Sequence, residues 1–227
     1  KVKEVIKDMA SRNAKALFAD MSLLYQETYG RIGYVIEKVC GKRLGYTKLK
    51  AEVVKNIIDA PLTGLKLTER LTNNRNAVYT NIKSEITRGF VNGDSYGAVA
   101  NKLSETLDGD AAKAKRIVRT ETHRAVTTAE QSSVDHARLK GIKMKKTWMT
   151  SKDERVRSSH RHMNGVTMDS DKPFELSGGI TCMVPGQTGV ASEDINCRCL
   201  VKYEIVGFDG DDDDGETYEE WAKANYR

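Results

Sequence analysis

The residues of this chain best suited to chemistry are crowded into its last third. All four histidines fall between positions 123 and 162, and three of the four cysteines between 182 and 199, with Cys40 alone near the start. Cys197 and Cys199 are one residue apart, and on an extended segment alternate side chains point the same way, so both thiols can face one ion. Those two thiolates, a third from Cys182 and an imidazole from His160 would make a closed tetrahedral zinc set. A structural zinc would stabilise a small loop-rich region with little core of its own. Two other readings of the same residues stand beside it: free thiols packed as small apolar groups, and a disulfide from Cys182 to Cys197 or Cys199. The Cys-x-x-Cys knuckle of common zinc modules is missing. The His-x-Glu and Pro-Cys-x-x-Cys of a zinc deaminase are missing too, replaced by His160-Arg161-His162 and Asn196-Cys197-Arg198-Cys199. A thiol nucleophile paired with His160 or His162 has no oxyanion site specified alongside it, so no catalytic residue is assigned and a non-enzymatic chain is expected.

Charged side chains offer a second kind of chemistry. Arg116, Arg119 and His123 recur at helical spacing with Arg124, Lys113 and Lys115 nearby. Such a stripe suits phosphate, DNA or an acidic partner, although a solvated face carries the same pattern. Glu121 lies in a line of small residues, Ala114, Val118, Ala125, Ala129, Ser132 and His136, that permits close helix packing. A buried carboxylate there is either satisfied by a neighbouring arginine or a main-chain donor, or a functional acid of raised pKa. Arg155, Arg157 and Arg198 can bridge Glu121, Asp153 or main-chain carbonyls through their planar guanidinium groups, pinning the C-terminal loops with or without a metal.

The elements that must position these groups are mainly helical up to Gly141. Apolar residues recur from Val2 to Leu24 near the helical period, until Gly30, Gly33, Gly41 and Gly45 interrupt it. A helix capped by Thr47 carries Val53, Val54, Ile57 and Ile58 and stops before Pro61. From Thr68 the spacing of Leu71, Val78, Ile82, Ile86 and Phe90 predicts another, closed by Asn92-Gly93, and Ser95 caps a short one ending near Leu107. Asp108-Gly109-Asp110 then starts a helix of about 30 residues, about 45 Å long. Beyond Gly141, strands are expected at 143–149 and 200–206 with turns and loops between. The chain is therefore read as α+β: an N-terminal helical region (1–65), a helical hairpin plus long helix (66–141), a small loop-rich α+β domain (142–207) and an acidic tail with a short terminal helix (208–227).

Composition bounds the rest. With 227 residues and 39% hydrophobic content the chain can bury a core. No run of about 18 apolar residues exists and the start lacks a secretory stretch, so no membrane partner is expected. The absent initiator Met suggests a fragment or a processed chain. The tail holds 8 acids and 2 bases, a net of −6, leaving +11 on the remainder of a chain whose net charge is +5. Such a body favours weak, salt-sensitive, non-specific DNA contact. Four consecutive aspartates at 211–214 miss the glycine and bidentate glutamate of a calcium loop. The tail after Phe208 is expected to be dispensable for folding, with Tyr218 and Trp221 as anchors for a partner or for the body itself.

An ordered set of motifs runs through the second half: Arg116-Ile117-Val118-Arg119-Thr120-Glu121, Gly141, Trp148, Asp153-Glu154-Arg155-Val156-Arg157-Ser158-Ser159-His160, Gly165, Pro173-Phe174, Pro185-Gly186 and Glu193-Asp194-Ile195-Asn196-Cys197-Arg198-Cys199. Over roughly residues 95–206 this resembles the Mu F-like phage head morphogenesis family. The resemblance implies a minor head protein of a tailed bacteriophage, lying in few copies inside the virion near the portal and present in the host cytoplasm during assembly. Portal protein, scaffold or major capsid protein, and DNA are the implied partners, and head assembly with DNA packaging or ejection the implied role. Cys182 stands where the family often has an apolar residue, and Gln187 where it tends to have Asp, which leaves His160, Cys197 and Cys199 as the surer ligands. Mu F-like domains also occur fused to toxin modules, so a nuclease or an ADP-ribosyltransferase-like toxin is the alternative.

Overall fold

A computed structural model describes residues 2–61, 64–206 and 216–225. Helix α1 (Val2–Cys40) and helix α4 (Tyr96–Leu139) form the frame, about 58 and 66 Å long at 1.5 Å per residue. Between them in the chain come α2 (Ala51–Ile58) and α3 (Leu67–Asn92). Both long helices are more continuous than their glycines suggest. A Cβ on Gly33 would sit 2.6 Å from the Tyr46 ring, so this glycine makes room for a close approach instead of ending α1. In α3, a Cβ on Gly89 would sit 2.4 Å from Val99 Cγ2 of α4. Ser95 caps α4 as expected, its hydroxyl accepting from the Ala98 N–H. No second start appears at Asp108-Gly109-Asp110: the helix runs through, and the buried Asp110 accepts from Asn81 on α3 and pairs with Lys113. The cap of α2 is Lys50, not Thr47.

The turn after α1 is organised by one buried carboxylate. Glu37 accepts the main-chain N–H groups of Leu44 (2.5 Å) and Gly45 (3.1 Å). This places Tyr46 against α4, where its hydroxyl donates to the Ser133 carbonyl at 2.7 Å. Tyr25, Tyr29, Ile36, Tyr46, Ala125 and Ala129 then form the main core between α1 and α4. The small residues foreseen on α4 do line that seam, but only from Thr120 onward; Val118 is still 41% exposed.

After Gly141 the chain forms β1 (Met144–Met149), α5 (Ser158–Met163), β2 (Thr167–Asp169), β3 (Phe174–Leu176), β4 (Ile180–Cys182), α6 (Ala191–Asp194) and β5 (Leu200–Ile205). The two strands expected from alternation, β1 and β5, pair antiparallel with β1 central in the order β2-β1-β5, while β3 and β4 make a separate hairpin. One end of the sheet joins the main core through Met144, Tyr203 and Ile205. Trp148, Met163, Phe174, Leu176, Cys182, Cys197 and Cys199 make a second core.

Helix α7 (Tyr218–Asn225) docks on the body, which runs against the expectation of a dispensable tail. Trp221 is fully buried in the main core, and its indole N–H donates to Glu37 at 2.6 Å. Glu216 pairs bidentately with Arg43 at 2.7 Å, and the Tyr34 hydroxyl donates to the Glu216 carbonyl. Burying an aromatic residue of this size contributes substantially to folding. The aspartates at 211–214, and with them the calcium reading, lie outside the described residues. Among the described residues, no helix is long and apolar enough to cross a membrane.

Candidate functional site

The loop between α6 and β5 and the short helix α5 bring Cys197, Cys199 and His160 together beside the second core. One ligand atom from each lies within 4.8 Å of the others, and all three residues are buried. His160 Nδ1 faces both sulfurs, at 3.4 Å from Cys199 and 3.7 Å from Cys197. At the opposite edge of the ring, Oε2 of Glu193 stands 2.9 Å from Nε2, close enough for an ion pair but off the line of a hydrogen bond. Ser159 donates to that same oxygen at 2.8 Å and so holds the carboxylate against the ring. The Trp148 ring packs edge-on against His160.

The sulfurs are unequal. Their mutual hydrogen bond is the main cause that pushes Cys197 up and draws Cys199 down, and the Trp148 indole N–H also favours the Cys199 thiolate. A buried pair with one sulfur biased toward thiolate, beside an imidazole, is a donor set that suits a thiophilic ion such as zinc. The same thiol, imidazole and carboxylate also have the order of a nucleophilic triad. Cys199 is only 3% exposed, so a substrate carbonyl has no approach to its sulfur.

The surrounding motif is explained by what holds this cluster in place. Asp194, fully buried, accepts the N–H and hydroxyl of Thr188 and the N–H of Gly189. Asn196 adopts a positive φ of 57°, a conformation asparagine tolerates better than most residues, and its N–H donates to Thr120 of α4. Arg198 forms a bidentate pair with Asp153 at 2.6 Å, which holds the Asp153 carboxyl well below the usual carboxylate range. Arg157 donates to the Ile195 carbonyl. Of the expected network, then, Asp153, Arg157 and Arg198 brace the cluster. Arg155 stays at the surface, 3.5 Å from Asp153.

Three expected placements need correction. Cys182 does not join the cluster: its register opposite Phe174 on the β3–β4 hairpin packs it into apolar surroundings, where burial pushes its thiol up to about 12. Glu121 is not bridged by the C-terminal arginines but by Arg70 at 2.5 Å and Arg124 at 2.9 Å, the paired form of the two readings open for it. Arg124 therefore cannot serve a nucleic acid. It is buried, and its guanidinium also donates to the Ile58 carbonyl. Arg116 and Arg119 are exposed, whereas His123 turns toward the cluster, its ring against Gly186. All four cysteines are free, as the packed-thiol and metal readings require and the disulfide does not. Glu193, Asp194 and Trp148 carry no chemical role that the sequence alone reveals. Their signal was position alone, an acidic pair just ahead of Cys197-Arg198-Cys199 and an indole two residues past a lysine-rich strand start.

Residues 80–202, more than half of the chain, match the family described as Phage Mu protein F like protein. The chain belongs to that family. The Phage Mu protein F like match starts within α3 and ends within β5, so it contains the whole cluster. The chain is similar to the minor head protein GP7 of Bacillus phage SPP1, with 31% identity over 208 residues that cover 90% of this chain and 67% of GP7. It is also similar to the NAD(+)--arginine ADP-ribosyltransferase EFV of Enterococcus faecalis, with 30% identity over 206 residues, 91% of this chain and 40% of that protein. No solved structure matches.

Proposed function

We propose that this chain is a minor head protein of a tailed bacteriophage, carried inside the head near the portal and acting in head assembly and in DNA packaging or ejection. The observation that carries this reading is the match to GP7, which takes in 90% of this chain and two thirds of that minor head protein. Its proposed partners are the portal protein, the scaffold or major capsid protein during assembly in the host cytoplasm, and DNA without sequence preference. An enzymatic role is the weaker reading, because the match to EFV leaves 60% of that longer protein unaligned. A structural zinc ion on His160, Cys197 and Cys199 is part of the same proposal, supported by the burial and the two-sulfur donor set.

The deciding measurement is mass spectrometry of purified particles from the phage that encodes the chain. The protein is expected in intact heads, and its absence from them would overturn the reading. Incubation of the protein with labelled NAD+ and an arginine-bearing acceptor is expected to transfer no label; transfer would favour the toxin reading instead. Protein purified without chelator is expected to hold close to one zinc per chain, and metal-free protein with an intact fold would remove the ion from the proposal.

A further inference from the structure

Three protein ligands leave a tetrahedral ion one position short, and a closed structural site fills that position with a fourth side chain. The surroundings offer three candidates. Cys182 is committed to the apolar face of the β3–β4 hairpin and lies outside the 4.8 Å set. Glu193 is near, but it addresses Nε2 of His160, the ring edge turned away from the sulfurs. A carboxylate in that place orients a ligating histidine and does not itself reach the metal. The third candidate is His123.

We propose that His123 supplies the fourth ligand, so that the ion fastens helix α4 to the loops of the sheet domain. This rests on the zinc reading given under Proposed function. The His123 ring lies near the Cys197 thiol and favours its thiolate form. Among the described residues its buried Nε2 has no hydrogen-bond partner, an arrangement that leaves a polar atom unsatisfied unless something else engages it. Gly186 makes the placement possible: a Cβ there would lie 3.2 Å from His123 Cδ2 and 3.6 Å from Nε2.

The face of α4 that carries His123 is already stitched to the cysteine-bearing loop and to the Pro185–Gln187 loop beside it. Three residues earlier, Thr120 accepts the Asn196 N–H, next to Cys197. Four residues later, Thr127 donates to the Pro185 carbonyl, and Thr128 contacts Gln187. Residues spaced by three and four share a helix face, so His123 sits at the middle of this seam with main-chain contacts on either side. His123 falls outside the 4.8 Å set, so a ring nitrogen must come closer to the other ligand atoms for one ion to join all four. The helix need not move for that, since its contacts above and below are in place.

Cobalt(II) substitution of the full chain tests the assignment, because visible absorption reports coordination geometry and sulfur-to-metal bands report thiolate count. Wild-type protein is expected to give a tetrahedral spectrum with two thiolates, and X-ray absorption of the zinc form two sulfurs and two nitrogens. His123→Ala should weaken cobalt and zinc binding at least about tenfold, the lower bound seen even for residues that only support a ligand. His123→Cys should restore a tetrahedral spectrum with three thiolates, which a protein that had merely misfolded would not do. Cys182→Ser should change neither spectrum nor affinity. If His123→Ala keeps the wild-type spectrum and affinity, or if Cys182→Ser abolishes them, the assignment to His123 is wrong while the three-ligand site stands. A wild-type protein that takes up neither metal would instead remove the zinc reading itself.

Discussion

A carboxylate cut off from water must find its counter-charge inside the protein or keep its proton, and Glu121 and Glu130 take these two courses. Glu121 is fully buried between Arg70 and Arg124. Removing it with Glu121→Ala would strand two largely buried guanidinium groups, at a cost of about 3–5 kcal/mol. Urea unfolding measures this directly, and a loss below about 1 kcal/mol would show that the arginines find other partners. Among the described residues, Glu130 has no such partner. Its Oε2 is buried and unbonded in an apolar groove beside Ile32, Met144 and Tyr203, and burial raises its pKa from 4.5 to about 7. Between these two values the folded chain keeps a proton that the unfolded chain has released. Stability therefore falls as pH rises through that window and levels off above it. Glu130→Gln removes the titration, so the variant should match the wild type near pH 4.5 and gain melting temperature relative to it up to about pH 7. A difference that stays flat across this range would mean that the carboxyl ionises freely in the fold.

At the scale of elements, the sequence was legible where local signals agree with packing and misleading where packing overrides them. Helix α3 could be read from its apolar spacing and from Asn92-Gly93, and β1 and β5 from alternation, because each signal is carried by the element itself. The breaks expected in α1 and α4 failed because Gly33 answers to Tyr46, and Gly109 to the flanking run and the buried Asp110, contacts that no local pattern reveals. The candidate site divides along the same line. Cys197 and Cys199 are separated by a single residue and His160 closes an earlier motif of the same ordered set, so the three could be read; Cys182 is misplaced by sequence because only strand register sets which way it faces. His123 and Arg124 were read as surface charge because helical periodicity identifies a shared face without saying which face turns inward. Helix α7 tests the same lesson energetically. Trp221 joins Glu37, Tyr34 and Tyr218 in the main core, so Trp221→Ala should cost about 3–5 kcal/mol, and truncation after Val206 should lower the melting temperature sharply. An unchanged melting curve for the truncated chain would show that α7 only rests on a finished core.

At the scale of the whole molecule, what matters is where the charge ends up after folding. The net +11 before residue 208 is not spread evenly, because Arg70 and Arg124 are consumed by Glu121 inside the protein. Arg116 and Arg119 lie on the opposite side of that division, exposed near the middle of α4, just before its continuous contact with the main core begins at Thr120. If DNA contact is part of the proposed role, these exposed arginines are the groups to carry it, with phosphate as their target and no base-reading element beside them. Each phosphate neutralised releases condensed counterions, so affinity for duplex DNA should fall steeply between about 50 and 200 mM salt. Replacing both Arg116 and Arg119 with Ser should lower the slope of log affinity against log salt by about 2 and leave thermal stability near that of the wild type. Arg124→Ala should do the reverse, destabilising the fold while leaving the slope of the folded protein intact. Filter binding over a salt series on random and defined duplexes separates these cases. Binding that is indifferent to salt, or that prefers one sequence, would mean that DNA is read by groups other than this exposed stretch of α4.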